Sequence, residues 1–334
     1  MAKLVAAPKP TDILGLESTD YSGKVTGMKS LFCLAPALLV MSTPLEACEM
    51  TAAFFSASDT EDIMACMDDI FIHQRDDDLS SVLHLAVAVS IDPGVIDAIY
   101  AAAGPYWPDL VEQQTTEGAT ALHIAAQTSD DHRLVTRLLA YGADANAVMD
   151  AKSAKLWGDR GTSALHLAAL RPDGAAFVTA LLAGGADPTW RQRDTEAQPI
   201  YIAAKVAETP DTLAALIAFG SGDHAINDPD AAGNTPLMAA VANDRPVTVI
   251  RFLLDHGADA DAANQDGTTA LQFATSYASD PAVVSLIFNA SEDPCATDKS
   301  GRTAQQLLML DASPLRHDKT LTRRFHETCI EAAK

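Results

Sequence analysis

Three histidines are the first residues whose type and spacing could do chemistry. His84, His123 and His166 follow one another at intervals of 39 and 43 residues, and imidazole is both the commonest metal ligand and the side chain that titrates near neutral pH. Intervals that long put each ring on a separate segment. A general base also needs a nucleophile or carboxylate held beside it, and no Gly-x-Ser-x-Gly or comparable motif is present. The acidic turns Asp228-Pro-Asp230-Ala-Ala-Gly233 and Asp259-Ala-Asp-Ala-Ala-Asn264 have the carboxylate density of calcium loops. They lack the ligand count, because Ala232 stands where an oxygen donor belongs and Ala239 where a loop-closing glutamate should be. No Cys-x-x-Cys, phosphate loop or dinucleotide fingerprint occurs. Neither a catalytic residue nor a metal or cofactor is expected.

Composition narrows the partners. The 334 residues carry 45 Asp and Glu against 23 Lys and Arg, a formal charge of −22, so the surface repels phosphate backbones and nucleic acid is not an expected partner. An apolar content of 48% is enough to build a core. No apolar run reaches the roughly 18 residues of a membrane span, which excludes an integral membrane domain.

The elements that must position the histidines emerge from self-comparison. Gly118-Ala-Thr-Ala-Leu-His-Ile-Ala-Ala126 returns as Gly161-Thr-Ser-Ala-Leu-His-Leu-Ala-Ala169, Gln198-Pro-Ile-Tyr-Ile-Ala-Ala204, Gly233-Asn-Thr-Pro-Leu-Met-Ala-Ala240, Gly267-Thr-Thr-Ala-Leu-Gln-Phe-Ala274 and Gly301-Arg-Thr-Ala-Gln-Gln-Leu-Leu308. A degenerate earlier copy is Leu79-Ser-Ser-Val-Leu-His-Leu-Ala86. Thr120, Ser163, Thr235, Thr269 and Thr303 are N-cap types, and Pro199 and Pro236 sit where a helix has no use for the missing N–H. Each copy therefore opens a short helix with a small-residue face. A second apolar helix follows, as in Leu134-Val-Thr-Arg-Leu-Leu139 and Val249-Ile-Arg-Phe-Leu-Leu254. Gly142, Gly185, Gly220 and Gly257 are placed to end the second helices in a left-handed conformation, with Asn289 expected in that role in the sixth unit.

This pattern resembles the ankyrin family, whose unit is about 33 residues. The resemblance implies an all-α repeat solenoid of stacked helix-turn-helix units with short turn or hairpin loops, about seven of them over 76–334, the last a C-terminal cap. It implies that His84, His123 and His166 are structural repeat histidines, hydrogen-bonded within the turn framework. A capping box at Ser58-Asp-Thr-Glu61 opens a helix to Met67, which makes 48–75 an N-terminal cap region. The basic segment from Leu315 onward reads as the closing helix.

Ahead of these, Met28-Lys29, the apolar stretch Leu31 to Met41 and Ala47 form a secretory signal peptide over 28–47, cut after Ala47. Residues 1–27 are then a doubtful extension with Met28 as the start. Removal of the leader leaves Cys48, Cys66, Cys295 and Cys329, which permit three connectivities. Cys48 with Cys66 and Cys295 with Cys329 would close the two ends of the repeat array. Leu45-Glu-Ala-Cys48 also resembles a lipobox, from which Glu46 departs; a lipid anchor on Cys48 is the alternative.

Insertions in such an array collect in loops, often on the binding face. The longest, between Asn146 and Arg160, carries Lys152, Lys155, Trp157 and Arg160, and the next turn carries Trp190, Arg191 and Arg193. Another insertion adds Tyr106 and Trp107. Trp and Arg are enriched among interface hot spots. The expected function is a non-enzymatic protein-protein interaction module, periplasmic or secreted, presenting these residues to another protein, with a basic partner favoured. The alternatives are an enzyme accessory protein or hydrolase using turn His and Asp residues, or a membrane-anchored or cytoplasmic effector.

Overall fold

The computed structural model describes residues 80–89, 92–149, 160–219 and 225–331. The expected leader, the cap region 48–75 with its helix to Met67, the pairing of Cys48 with Cys66, and Lys152, Lys155, Trp157 and Gly220 all lie outside them. The chain divides into two compact units, one reaching Ala164 and taking Ala183–Gly185, the other taking Leu165–Leu182 and Ala186–Lys334. Among the described residues no helix is long and apolar enough to cross a membrane.

In the first unit α1 (Val82–Val89) and α2 (Gly94–Ala103) form one helix pair, and α4 (Ala121–Thr128) and α5 (His132–Ala140) form the next; α3 (Trp107–Val111) fills the insertion between them. The pairing follows from residue type. Ala121, Ala125 and Ala126 keep α4 thin enough to lie close against α1, while α5 buries Leu134, Val135 and Leu138 and leaves Arg133 and Arg137 to solvent. Full burial of one such leucine contributes about 2–3 kcal/mol. The long insertion is closed at its base by a two-stranded antiparallel ladder, β1 (Val148–Met149) with β2 (Thr162–Ser163). Among the described residues of this unit, the ladder and the insertion holding α3 depart from the plain helix pair.

The second unit repeats the plan with α6 (Ala164–Ala169), α7 (Ala175–Ala183), α8 (Pro199–Val206), α9 (Asp211–Ala218), α10 (Pro236–Ala242), α11 (Val247–Asp255), α12 (Ala270–Tyr277), α13 (Pro281–Ala290) and α14 (Ala304–Leu308), closed by α15 (Lys319–Glu331). The first helices α8, α10, α12 and α14 pack in succession through buried alanines such as Ala203, Ala240 and Ala274. Leu321 and Phe325 anchor α15, with Phe325 edge-on to Phe288 at 5.0 Å. Cys295 and Cys329 are disulfide-bonded, with their Cα atoms 5.5 Å apart.

Helix ends follow the cap chemistry. Thr120, Thr235, Thr269 and Thr303 are extended residues directly before α4, α10, α12 and α14, and Asp131 and Asp280 cap α5 and α13 by accepting from Arg133 N and Ala282 N. Gly142, Gly185 and Gly257 have positive φ after second helices. Asn289 does not take that role. α13 runs through it to Ala290 and ends on extended Ser291, while the Asn289 side chain is bonded by Arg324.

Candidate binding surface

The histidines occupy the third helical position of their first helices, and their two ring nitrogens have separate tasks. In the first unit, Nδ1 of His84 accepts from Ser81 N, and Nδ1 of His123 accepts from Thr120 N, which closes a capping box with the Thr120 side chain. Nε2 of His84 then reaches the Ala119 carbonyl at 3.1 Å, the start of the next copy. In the second unit His166 Nε2 makes the same bond to Ala197 O at 3.2 Å. Gln272 does both jobs with its amide, accepting from Thr269 N at 2.9 Å and donating to Arg302 O at 2.8 Å. At His84, His166 and Gln272 the third helical position is therefore a stitch to the next copy.

His123 is the exception. Its ring is buried, and its Nε2 faces the carbonyls of Thr162 and Ala147 without reaching hydrogen-bond geometry to any described residue. Burial lowers its pKa to about 4, and the two carbonyls oppose the shift only in part. A ring held neutral and enclosed does not take up a second proton near neutral pH and is not open to a substrate.

The acidic turns are likewise committed to the chain's own donors. Asp230 Oδ1 accepts from Ala232 N and Asn234 N, and its Oδ2 accepts from the Tyr201 hydroxyl at 2.7 Å. Burial first, and then the Asp230 charge, raises the Tyr201 pKa well above the usual phenol value. Asn264 and Asp298 order the next two turns by accepting backbone N–H bonds in the same way. Asp261 accepts from Ser291 Oγ and Glu292 N. Among the described residues no group of three His, Cys, Asp or Glu is placed to hold a metal ion.

Successive turn tips in the second unit are bonded to each other. Ala231 N donates to Thr195 O at 2.7 Å, Gln265 N to Ala232 O at 3.0 Å and Lys299 N to Asp266 O at 2.9 Å. The tips are thereby tied into one ordered series, with Trp190, Arg191 and Arg193 at its start and acidic side chains along the rest.

Those residues divide by environment. In the first unit Trp107 is 4% exposed, packs edge-on against Tyr100 and Tyr141, and donates its Nε1–H to Tyr141 O at 2.7 Å. It is a core residue and not a partner contact, its indole packed against Tyr100 and Tyr141. Tyr100 on α2 and Tyr106 just before α3 are the exposed aromatics here. Arg160 is exposed. In the second unit Trp190 and Arg193 are exposed. Arg191 is spent internally, donating to Glu196 O, to Pro229 O at 2.9 Å and to Asp228 Oδ2 at 2.8 Å, so it clamps two turns rather than offering its fork to a partner. Gln198 Nε2 donates to the same Asp228 oxygen. Sequence reasoning missed Tyr201, Asp228 and Tyr100. The only signal was Tyr201 at the position that holds histidine or glutamine in every other first helix except α10, where it is Met238.

A family model for ankyrin repeats, three copies long, matches residues 83–192 and 200–298. The chain belongs to the ankyrin-repeat family. Its fold is similar to the crystal structure of the ankyrin repeat domain of Bcl-3, described as a unique member of the IkappaB protein family. The TM-score is 0.56 at 22% identity, over 71% of this chain and 98% of that one. At that identity the likeness concerns the fold alone. As an ankyrin-repeat protein, the chain is a protein-protein interaction module, the role for which this framework of helix pairs and turns serves as a scaffold.

Proposed function

We propose that the chain is a non-catalytic scaffold, exported by the leader at 28–47, that holds a partner protein on its turn tips and first-helix face. The observation that carries this reading is the bonded series of tips from Thr195 to Lys299. A surface already ordered loses little entropy on association, so a few side chains can supply most of the affinity. Trp190 and Arg193, exposed beside that series, and Trp157 in the long insertion are the anchors. The acidic remainder of the surface steers a basic partner, with association slowed by added salt.

The test is capture of the partner by the immobilised chain from the exported fraction of its own source. Trp157→Ala combined with Trp190→Ala should cut capture about tenfold or more, the loss typical of one hot spot, with the melting temperature unchanged. Equal capture by the double variant removes the anchors. Amino-terminal sequencing of the exported chain should begin at Cys48; an uncleaved chain confined to the cytoplasm overturns export.

A further inference from the structure

A second kind of site lies at the closing helix. The segment 315–329 holds Arg316, Lys319, Arg323 and Arg324 with His317 and His326, against two acids, Asp318 and Glu327, in a chain whose net charge is −22. Arg324 turns away, lying over the Phe288 ring at 4.3 Å and bonding Asn289. The others converge. Arg316, His317, Lys319, Arg323 and His326 line a cleft of about 390 Å³, with Gln305 and Thr322 completing its wall.

The nearby acids do little to neutralise it. Asp318 spends its Oδ1 on the amides of Thr320 and Leu321 at the start of α15. Glu327 lies 3.9 Å from Arg323 with both side chains largely in solvent, which screens the pair. Asp311 pairs with Arg316 from an almost fully exposed position. Lys319, His317 and His326 have no acidic partner among the described residues. The cleft is therefore lined with nitrogen donors whose number exceeds what one carboxylate, with two oxygens, can accept.

We propose that this cleft binds a small phosphorylated ligand carrying a diphosphate or phosphomonoester group. A phosphoryl group presents three acceptor oxygens, guanidinium forks match it in pairs, and an ammonium adds a point charge. A volume of about 390 Å³ has room for a compact phosphorylated group. The surrounding negative field makes recognition local: the contacts inside the cleft, not long-range attraction, hold the ligand.

The test uses inorganic pyrophosphate as probe and the intact chain, followed by titration calorimetry and by amide chemical shifts. Saturable binding is expected, with shifts confined to Gln305 and to 316–326. Lys319→Gln with Arg323→Gln, both on exposed side chains, should weaken binding about tenfold or more, while Arg133→Gln in the other unit changes nothing. Citrate at equal concentration should fail to displace the probe. Absence of saturable binding at millimolar pyrophosphate, equal binding by the double variant, shifts spread over the whole chain, or displacement by citrate would each overturn the phosphoryl site. None of these outcomes bears on partner capture through the turn tips.

Discussion

The two units use the same helix pair but differ in how one copy is fastened to the next. In the second unit, tips are tied N–H to carbonyl from Thr195 through Lys299, Gln272 completes both of its bonds, and a disulfide holds the closing helix. In the first unit, a two-stranded ladder of Val148–Met149 with Thr162–Ser163 stands beside the helix pairs, and His123 Nε2 is left without a bonded partner among the described residues. Stability in a repeat protein is a sum of unit and junction terms. The difference therefore separates a stapled region from one with a titratable group buried at a junction between copies.

The largest way to break that contrast is to remove the staple. Cys295 and Cys329 are 34 residues apart, and in the chain-entropy account a loop of that length restricts the unfolded chain by about 4 kcal/mol. Cys295→Ala with Cys329→Ala, or reduction, should lower the second unit's stability by up to that amount. Hydrogen exchange is the readout: amides of α13 and α15 should lose protection while those of α4 and α5 keep it. Uniform loss across both units would mean that the staple supports the whole array.

Acid should act on the other region. The folded chain holds His123 near pKa 4, against about 6.5 when unfolded, so between those values the unfolded chain takes a proton that the folded one refuses. Stability is complete above about pH 6.5, falls as pH drops through the window and levels off below 4, for a loss of about 3 kcal/mol. His123→Gln places at this junction the side chain that already serves at Gln272. The variant should retain the capping bond and lose the pH-dependent component, seen as a smaller drop in denaturation midpoint between pH 7 and pH 4.5. An identical drop in the variant would assign the acid response to other groups.

Much of the fold was legible because the repeat fixes its own punctuation. Thr at the cap, Leu and Ala along the first helix and Gly after the second each answer a local backbone need, so Thr235, Ala240 and Gly257 could be read without tertiary knowledge. The site was less legible because exposure is a tertiary property. Trp107 and Trp190 look alike as residue types, yet one is folded under Tyr141 and the other faces solvent. Arg191 has the chemistry of an anchor, but Asp228, its acceptor 37 residues away, reaches it only through the stacking of turns. Asn289 failed for a similar reason: the last helix pair is closed by α15, and the contact with Arg324 replaces a left-handed end.

The smallest effect sharpens the comparison at the point where the ordered tips begin. Gly233, Gly267 and Gly301 hold φ of 84°, 75° and 74° in three successive turns, and Glu196 occupies the equivalent place with φ of 53°. Equivalence follows from the bonds: Thr195 O receives Ala231 N just as Ala232 O receives Gln265 N, in each case the carbonyl immediately before the left-handed residue. A side chain in that conformation costs about 1–2 kcal/mol, whereas glycine adopts it freely but gives up more entropy on folding. Glu196→Gly should therefore gain a net 0.5–1 kcal/mol, roughly, in urea unfolding of the second unit. The Arg191 clamp should survive, because Arg191 bonds the carbonyl of residue 196 and not its side chain. A loss of stability would mean that the Glu196 carboxylate contributes more than its backbone strain costs. The start of the bonded series would then be fastened by a side-chain contact rather than by turn geometry.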